Sequence, residues 1–402
     1  MRPFDGKRVL LVVTGGIAAY KGAFLARRLL EAGTTVEAVL TEAAEKFIGR
    51  ATLAGITGQD TGVSLWDRPM EHLDAGKRAD LIIVAPATAD FMAQMAVGRA
   101  DGLAQALILA ADCPIMVCPA MNSRMWHHPA TRRNASTLAA HGVLFCGPGD
   151  GPLAEGETGP GRMTEPQEIV AAASRALEPD NSLDGVKVVV TAGGTRADID
   201  PVRFIGNRSS GRMGDELASA AWRRGGDVVL IRGSGSAPVP AGPRVVGAAT
   251  PRRMLDVLMA ELPGSAALFM AAAVSDFEPE NVASRKLGKL ALESDASVNM
   301  ALQMGPDLLE ETRSLRREHG VFTLGFALET EDIEARAREK LVRKGLHAVA
   351  ANPAGQPGAG PESPTNRITL VWPGRDPENL GSGPKRQLAE ALLDRLIPQI
   401  GP

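Results

Sequence analysis

The 402-residue chain is longer than one growing hydrophobic core supports, which predicts two domains of roughly 180 to 220 residues. An apolar share of 44% and a charged share of 23% exclude a disordered chain, and no run of ~18 apolar residues predicts a membrane span. The net charge of -3 and the scattered Lys and Arg residues argue against a nucleic-acid partner.

The three cysteines, Cys113, Cys118 and Cys146, are few, odd in number and without paired metal-ligand spacing. This usage favours a reducing compartment and packing roles over a disulfide framework or a zinc site. The first residues lack the long apolar region and cleavage site of a signal peptide, so a cytoplasmic location is expected.

The first half alternates short apolar runs with amphipathic stretches, a pattern typical of a parallel sheet covered by helices. Strands are predicted at 9–13, 36–40, 81–84 and 115–118, and helices at 21–32 and 165–177. The strand candidates are apolar on both faces, as strands between two helical layers must be.

The polar segment 178–184 separates this half from a second one, in which VKVVVTAGGT repeats the layout of RVLLVVTGGI. The expected organisation is a domain at 1–178, a linker at 179–184 and a domain at 185–402. In the second half, strands are predicted at 227–231, 267–270, 321–326 and 368–371, helices at 217–224 and 332–344, and a Gly- and Pro-rich loop at 352–364. Both domains are expected to be three-layer α/β/α units with largely parallel sheets.

A strand that ends on paired glycines opens the first half. In this turn, Gly15, Gly16 and Ile17 lead directly into a helix, an arrangement whose N–H groups and helix dipole suit a phosphate. A turn that needs only a positive φ explains the glycines equally well. Thr41 follows the second strand and adds a hydroxyl at the same sheet edge.

Two further loops follow the next two strands: APATAD at 85–90, which contains Thr88, and PAMNSRMW at 119–126. With His72 and the glycine-rich segment 156–163, they resemble the homo-oligomeric flavin-containing cysteine decarboxylases, whose signature is a PAMNxxMW loop. The resemblance implies a flavodoxin-like domain that binds FMN through Gly15, Gly16, Ile17, Thr41, Thr88 and Met121.

The resemblance also implies the reaction. The flavin oxidises the thiol of the substrate to a thioaldehyde, carbon dioxide leaves to give an ene-thiol, and reduced flavin converts this to the thiol product. His72 matches the catalytic histidine, a residue type that titrates near neutral pH, although an isolated histidine is more often a packing residue. Asn122 matches the residue that holds the substrate carboxylate, although an amide also stabilises its own turn.

One position departs from this family. The substrate-clamping loop usually reads LACGxxGxGRM, whereas here it is LAEGETGPGRM, so Glu155 occupies the place of the proton-donating cysteine. A free glutamate with pKa near ~4.3 carries no proton at neutral pH. The hypothesis is that desolvation by the closed loop lets Glu155 act as the acid; the competing outcome is a stalled ene-thiol.

Residues 191–214 form the most informative segment of the second half. Glycines end a strand, and Asn207, Ser209, Ser210 and Gly211 then open a helix, which places several donors around an anion. The segment resembles the phosphopantothenate–cysteine ligase signature. The resemblance continues at 271–276, 305–308, 325–330 and 337–344.

This second resemblance implies that CTP activates a carboxylate as an acyl-cytidylate, after which the amine of cysteine displaces CMP. Lys340 and Lys344 share a helix face and match a nucleotide-binding pair, although a solvated face would look the same. The implied catalytic residues are Asn207 and Lys289. The implied nucleotide-binding residues are Ala273, Ser275, Asp276, Lys286, Lys289, Gly305, Pro306, Asp307, Leu308, Phe326, Lys340 and Lys344, and Asp276 is also the implied Mg²⁺ ligand.

The ligase match is imperfect at two places. The KIKK loop of the family is Lys286-Leu-Gly-Lys289 here, with Gly288 in place of a lysine, and its Asn-Asp pair is Asn352-Pro353. Lys289 keeps the charge expected against the intermediate.

Together the resemblances imply a bifunctional enzyme of coenzyme A biosynthesis, both lyase and ligase, acting on 4'-phosphopantothenate, cysteine and CTP. They also imply a homo-oligomer with trimeric decarboxylase contacts and dimeric ligase contacts. One alternative is an oxidative decarboxylase of peptidyl cysteine, which also lacks the loop cysteine; the ligase signature argues against it. Another alternative is a non-catalytic regulatory relative, because Glu155, Gly288 and Pro353 depart from the residues of the catalytic families.

Overall fold

The computed structural model describes residues 3–66, 70–154, 156–287, 299–355 and 360–400; the side chains of residues 71 and 72 also lie outside this description. The chain divides into two compact units, Met1–Glu178 and Pro179–Pro402. Each unit is an α/β structure with its own sheet and its own cores.

The first unit is built on a five-stranded parallel sheet. Its strands are β1 (Arg8–Val13), β2 (Thr35–Leu40), β3 (Leu81–Ala87), β4 (Ile115–Pro119) and β5 (Leu144–Phe145). Their spatial order, β2-β1-β3-β4-β5, is the flavodoxin-like order, which confirms the predicted fold class. The four predicted strands are present.

Helices cover both faces of this sheet. They are α1 (Tyr20–Ala32), α2 (Arg50–Thr57), α3 (Glu71–Arg78), α4 (Ala89–Ala96), α5 (Leu103–Leu109), α6 (Ser123–His127), α7 (Pro129–Ala140) and α8 (Pro166–Ala176), with the hairpin β6 (Gly149–Pro152) and β7 (Thr158–Arg162) before α8. Along β1, Leu11 faces one core and Leu10 and Val12 face the other. This alternation explains why the strand is apolar throughout.

The second unit contains an eight-stranded sheet and two small hairpins. Its strands in chain order are β8 (Lys187–Ala192), β9 (Arg196–Asp198), β10 (Phe204–Gly206), β11 (Asp227–Arg232), β12 (Arg244–Gly247), β13 (Ala267–Met270), β14 (Phe277–Pro279), β15 (Leu302–Met304), β16 (Phe322–Glu329), β17 (Ala348–Pro353), β18 (Thr365–Val371) and β19 (Glu378–Pro384). The sheet order is β12-β11-β8-β13-β16-β17-β18-β19, Rossmann-like in its first six strands. Strand β18 pairs antiparallel with both β17 and β19, and the other described pairings within the sheet are parallel.

The described helices of the second unit pack against this sheet or lie around it: α9 (Arg212–Arg223), α10 (Pro251–Glu261), α11 (Leu308–Glu311), α12 (Arg313–Glu318), α13 (Ile333–Arg343) and α14 (Lys385–Leu396). Val188 and Val190 face one core, and Val189 faces the other. Within the described ranges, no helix of either unit is long and apolar enough to cross a membrane.

Two predicted boundaries in the second unit were wrong. The helix predicted at 217–224 begins at Arg212, because Gly211 adopts a positive φ of 79° and caps it. Asn352 and Pro353, predicted in a loop, end strand β17 opposite Leu328 and Glu329. Proline has no N–H to donate to the neighbouring strand, but the N–H of the next residue, Ala354, donates to the carbonyl of Glu329 at 2.7 Å.

The polar segment 179–184 packs against the second unit. Leu183 is buried, and its N–H donates to the carbonyl of Arg224 at 2.9 Å. Asp180 pairs with the guanidinium of Arg224 at 3.5 Å. These contacts make the segment part of the second unit's structure.

In a fragment of residues 179–402, Leu183→Ala should lower the free energy of unfolding by about 2–5 kcal/mol, the usual cost of truncating a buried leucine. Leu302→Ala is the matched control, because Leu302 is 48% exposed. Urea unfolding followed by circular dichroism compares the two variants. Equal stability of both would show that segment 179–184 does not pack as described.

Candidate active sites

The first unit gathers the predicted flavin-binding residues at one edge of its sheet. Gly15 and Gly16 follow β1, Thr41 follows β2, Thr88 follows β3 and Met121 follows β4. Because these strands are parallel, their carboxyl ends share an edge, and β1 and β3 flank the point where the strand order reverses. Ligands of such folds bind at this place.

Gly15, the first of the paired glycines, lets the turn after β1 approach the backbone of Ala43 closely. A Cβ atom on Gly15 would lie 2.5 Å from the Cβ of Ala43 and 2.8 Å from its carbonyl carbon. Gly16 is extended, with φ of -168°, and neither glycine has a positive φ. The turn therefore needs glycine for space rather than for a left-handed conformation.

Hydrogen bonds fix the threonines of this edge. The N–H of Thr41 donates to the carbonyl of Val13 at 3.1 Å. Thr88 caps α4 by accepting the N–H of Phe91 at 3.2 Å, and its own N–H donates to the hydroxyl of Thr14 at 3.2 Å. The hydroxyl of Thr41 accepts the N–H of Ala44 at 3.3 Å, so both threonine hydroxyls are held at the turn that follows their strand.

The hairpin β6–β7 packs onto the loop that contains Met121 and Asn122. The N–H of Met121 donates to the carbonyl of Gly161 at 2.9 Å, and a Cβ on Gly161 would lie 2.2 Å from the carbonyl oxygen of Met121. The side-chain oxygen of Asn122 caps α6 by accepting the N–H of Arg124 at 2.7 Å. Arg124 also forms an ion pair at 3.3 Å with Glu157, which directly precedes β7.

A buried lysine that motif comparison missed anchors the end of this hairpin. Lys21 on α1 donates to Glu165 at 2.8 Å and to the carbonyl of Met163 at 3.2 Å. The hydrogen bond from Lys21, aided by Arg162, holds the pKa of Glu165 below its usual value. The sequence signal was weak: a lysine in the first turn of an amphipathic helix.

Three predicted catalytic groups lie outside the described residues: the side chain of His72, Glu155 and Lys289, which follows the equally undescribed Gly288. All three cysteines are free. Cys118 and Cys146 pack in the core beside β4, in agreement with the predicted packing role.

The second unit contains a cleft of about 740 Å³ at the carboxyl edge of its sheet. It brings together nine predicted residues from five separate segments: Asn207, Ala273, Asp276, Pro306, Asp307, Leu308, Phe326, Lys340 and Lys344. The remaining described candidates, Ser275, Lys286 and Gly305, are not among its lining residues.

Ser275 and Gly305 support the cleft wall from behind. Ser275 is buried, its N–H donates to the hydroxyl of Thr195 at 2.8 Å, and its own hydroxyl donates to the carbonyl of Phe277 at 2.8 Å. The N–H of Gly305 donates to the carbonyl of Asp276 at 2.9 Å. These bonds set the position of Asp276.

The two lysines of α13 face the cleft. Lys340 donates to the carbonyl of Phe326 at 2.6 Å, and burial lowers its pKa against the opposing effect of Glu329. Lys344 is 13% exposed and pairs with Asp307. Burial raises the pKa of Asp307, but the bond and charge of Lys344, the N–H of Glu310 and the charge of Arg343 together outweigh burial and lower that pKa. The solvated-face interpretation of this pair is wrong.

The segment before α9 forms another wall. Asn207 donates from its amide nitrogen to the carbonyl of Val274 at 2.7 Å. The hydroxyl of Ser209 accepts the N–H of Gly211 at 3.2 Å. The cleft lining also includes Asn366 and Lys385, which sequence reasoning missed because no motif links residues more than 150 positions from Asn207.

Comparison with known proteins agrees with the division of the chain into two units. The flavoprotein family matches residues 2–178, and the DNA/pantothenate metabolism flavoprotein C-terminal domain matches residues 183–399. The coenzyme A biosynthesis bifunctional protein of Vibrio parahaemolyticus is 41% identical over 377 residues, which cover 93% of this chain and 94% of that protein. The protein of the same name from Escherichia coli is 39% identical over 396 residues, covering 98% and 97%.

The chain belongs to the coenzyme A biosynthesis bifunctional proteins. Members of this family combine decarboxylase and ligase activities, and so does this enzyme. Its first unit is a flavoprotein domain.

Gly15→Ala should abolish flavin binding, because the added methyl group collides with the backbone of Ala43 and displaces the turn. Gly55→Ala is the control, since a Cβ at Gly55 meets nothing within 4 Å. The flavin absorption band of each purified variant gives the result. A yellow Gly15→Ala protein with wild-type flavin content would contradict the placement of the cofactor at this turn.

Proposed function

We propose that the first unit decarboxylates 4'-phosphopantothenoylcysteine to 4'-phosphopantetheine with FMN as its cofactor. The support is the turn at Gly15 and Gly16, where the backbone of Gly15 approaches that of Ala43 and a phosphate could bind beside Thr41 and Thr88. Ile17 and Met121 would flank the ring system. Bound FMN supplies the oxidation of the substrate thiol, and the protein supplies orientation and proton transfer.

The residues of this chain take separate parts in that reaction. Asn122 would hold the substrate carboxylate from the loop after β4, which the hairpin β6–β7 fixes in place. His72 would move the proton that the thiol loses. Glu155 would return a proton to carbon at the end of the reaction, in place of the cysteine that relatives use.

The second unit, in this proposal, joins 4'-phosphopantothenate to cysteine at the expense of CTP. The observation that carries it is the cleft in which Asn207, Asp276, Lys340 and Lys344 converge from distant segments. A carboxylate oxygen becomes a leaving group only when it is activated, and a triphosphate that activates it needs cations and N–H donors around it.

Individual residues fit parts of the nucleotide. Lys340, beside Phe326, and Lys344 would bind its nucleoside end and first phosphate; Ala273, Pro306 and Leu308 shape the wall. No group of three potential metal-binding side chains occurs in the described ranges. Asp276 would therefore share Mg²⁺ with the triphosphate oxygens, a common way for proteins to bind this ion. Lys286 and Lys289 would approach the acyl-cytidylate.

The proposal includes a homo-oligomer in the cytoplasm, trimeric through the first unit and dimeric through the second. Large apolar side chains remain exposed in both: Ile17, Tyr20 and Phe24 in the first, Phe277 and Met304 in the second. Patches of this kind mark interaction surfaces. A monomeric mass in light scattering would contradict this part of the proposal.

A reciprocal pair of variants tests the assignment of the two activities. His72→Asn should stop carbon dioxide release from added 4'-phosphopantothenoylcysteine while CMP production continues. Asn207→Ala should slow CMP production about 100-fold, the usual cost of one lost donor to a developing charge, while carbon dioxide release continues. Coupled assays with CTP, 4'-phosphopantothenate and cysteine measure both products.

Each variant is the control for the other, because both proteins must fold to keep one activity. Loss of both activities in either variant would argue against separate sites. A wild-type protein that forms neither product would overturn the proposed reactions.

A further inference from the structure

A buried lysine outside every matched motif lies in the wall of the second unit's cleft. Lys385, the first residue of α14, is 2% exposed. Its ammonium donates to the carbonyls of Gly360 at 2.9 Å and Pro361 at 3.0 Å. In the described part of the chain no carboxylate pairs with it. Burial, and to a smaller extent the positive charge of the nearby Arg212, lowers the pKa of Lys385 to about 8.

A buried amide lies in the same wall. Asn366 is 4% exposed, and its oxygen accepts the N–H of Arg367 at 3.0 Å. Among the described residues its amide N–H groups have no hydrogen-bond partner. The amide nitrogen is not among the buried atoms that lack a partner, so it reaches the solvent of the cleft, where a ligand can accept its N–H groups.

The carbonyl of Pro361 connects this wall to the N-terminus of α9. It accepts the hydroxyl of Ser210 at 2.8 Å as well as the ammonium of Lys385. An ammonium has three N–H donors, and the two carbonyls use two of them. Lys385, Asn366 and Arg212 thus present one amide and two cations beside the positive end of a helix of 12 residues.

Such a group of donors requires an anion. The ammonium of Lys385 lies near the guanidinium of Arg212, and no acid of the described residues pairs with it, which is costly for a buried ion. The lysines of α13 already contact Phe326 and Asp307 elsewhere in the cleft. The cleft therefore has two separate cationic regions, as a nucleoside triphosphate with a departing pyrophosphate requires.

We propose that Lys385 and Asn366, with the N-terminus of α9, bind the β- and γ-phosphates of the nucleotide and retain the pyrophosphate product. This inference rests on the proposed ligase function. Lys385 and Asn366, which lie outside the sequence motifs of the ligase, would then bind the pyrophosphate leaving group. Lys385 also positions the loop at 360–361 through the carbonyls that it binds.

The test uses full-length protein with Lys385→Met and Asn366→Ala, and measures the dissociation constants of CMP, CTP and pyrophosphate by calorimetry. Each variant should weaken CTP and pyrophosphate about 10- to 100-fold, the cost of one charge-assisted bond, and leave CMP within about 2-fold. Lys187→Met is the control, because Lys187 pairs with Glu261 at 3.3 Å and does not line the cleft.

The nucleotide series separates binding from structural damage. Equal weakening of CMP and CTP would show a merely structural role, and unchanged CTP and pyrophosphate binding would refute the subsite; either result overturns the inference. Should Lys385→Met fail to fold, Asn366→Ala decides alone. A wild-type protein that binds no CTP would instead overturn the proposed ligase function, and this inference with it.

Discussion

Burial of both faces of the parallel sheets is the constraint on which the rest of this structure depends. Strands such as β1 and β8 send alternate side chains into two cores, so their faces are closed to ligands. Only the strand ends remain available for chemistry, and parallel pairing brings the carboxyl ends to one edge. Both sites of the enzyme are therefore built from loops that leave a rigid sheet.

The two units use this edge differently. In the first, Gly15 lets the backbone of one loop approach another, and the glycines of the hairpin β6–β7 do the same against the Met121 loop. The result is a surface of backbone N–H groups and hydroxyls. Backbone donors suit a cofactor that stays bound through many turnovers, because their positions are set by the sheet itself.

The second unit instead collects charged side chains from segments far apart in the chain. Lys385 is buried and Lys340 is half-buried; Lys385 binds two loop carbonyls, and Lys340 binds the carbonyl of Phe326 in β16. Burial lowers the pKa of each lysine, so each gains from a bound anion. This arrangement is consistent with the nucleoside triphosphate proposed for this cleft, which carries several negative charges.

The amino-acid sequence by itself determined the type and order of the strands and the glycine turns, because apolar periodicity and turn residues act within a few positions. The family followed from the resemblance of motifs such as PAMNSRMW to those of known proteins. It did not predict where α9 begins or that Asn352 and Pro353 continue β17, since both depend on pairing and capping by the folded chain. Lys21 and Lys385 gained their roles only in the tertiary structure. Their partners lie 20 to more than 100 residues away, and only the folded sheets bring such groups into contact and remove them from water.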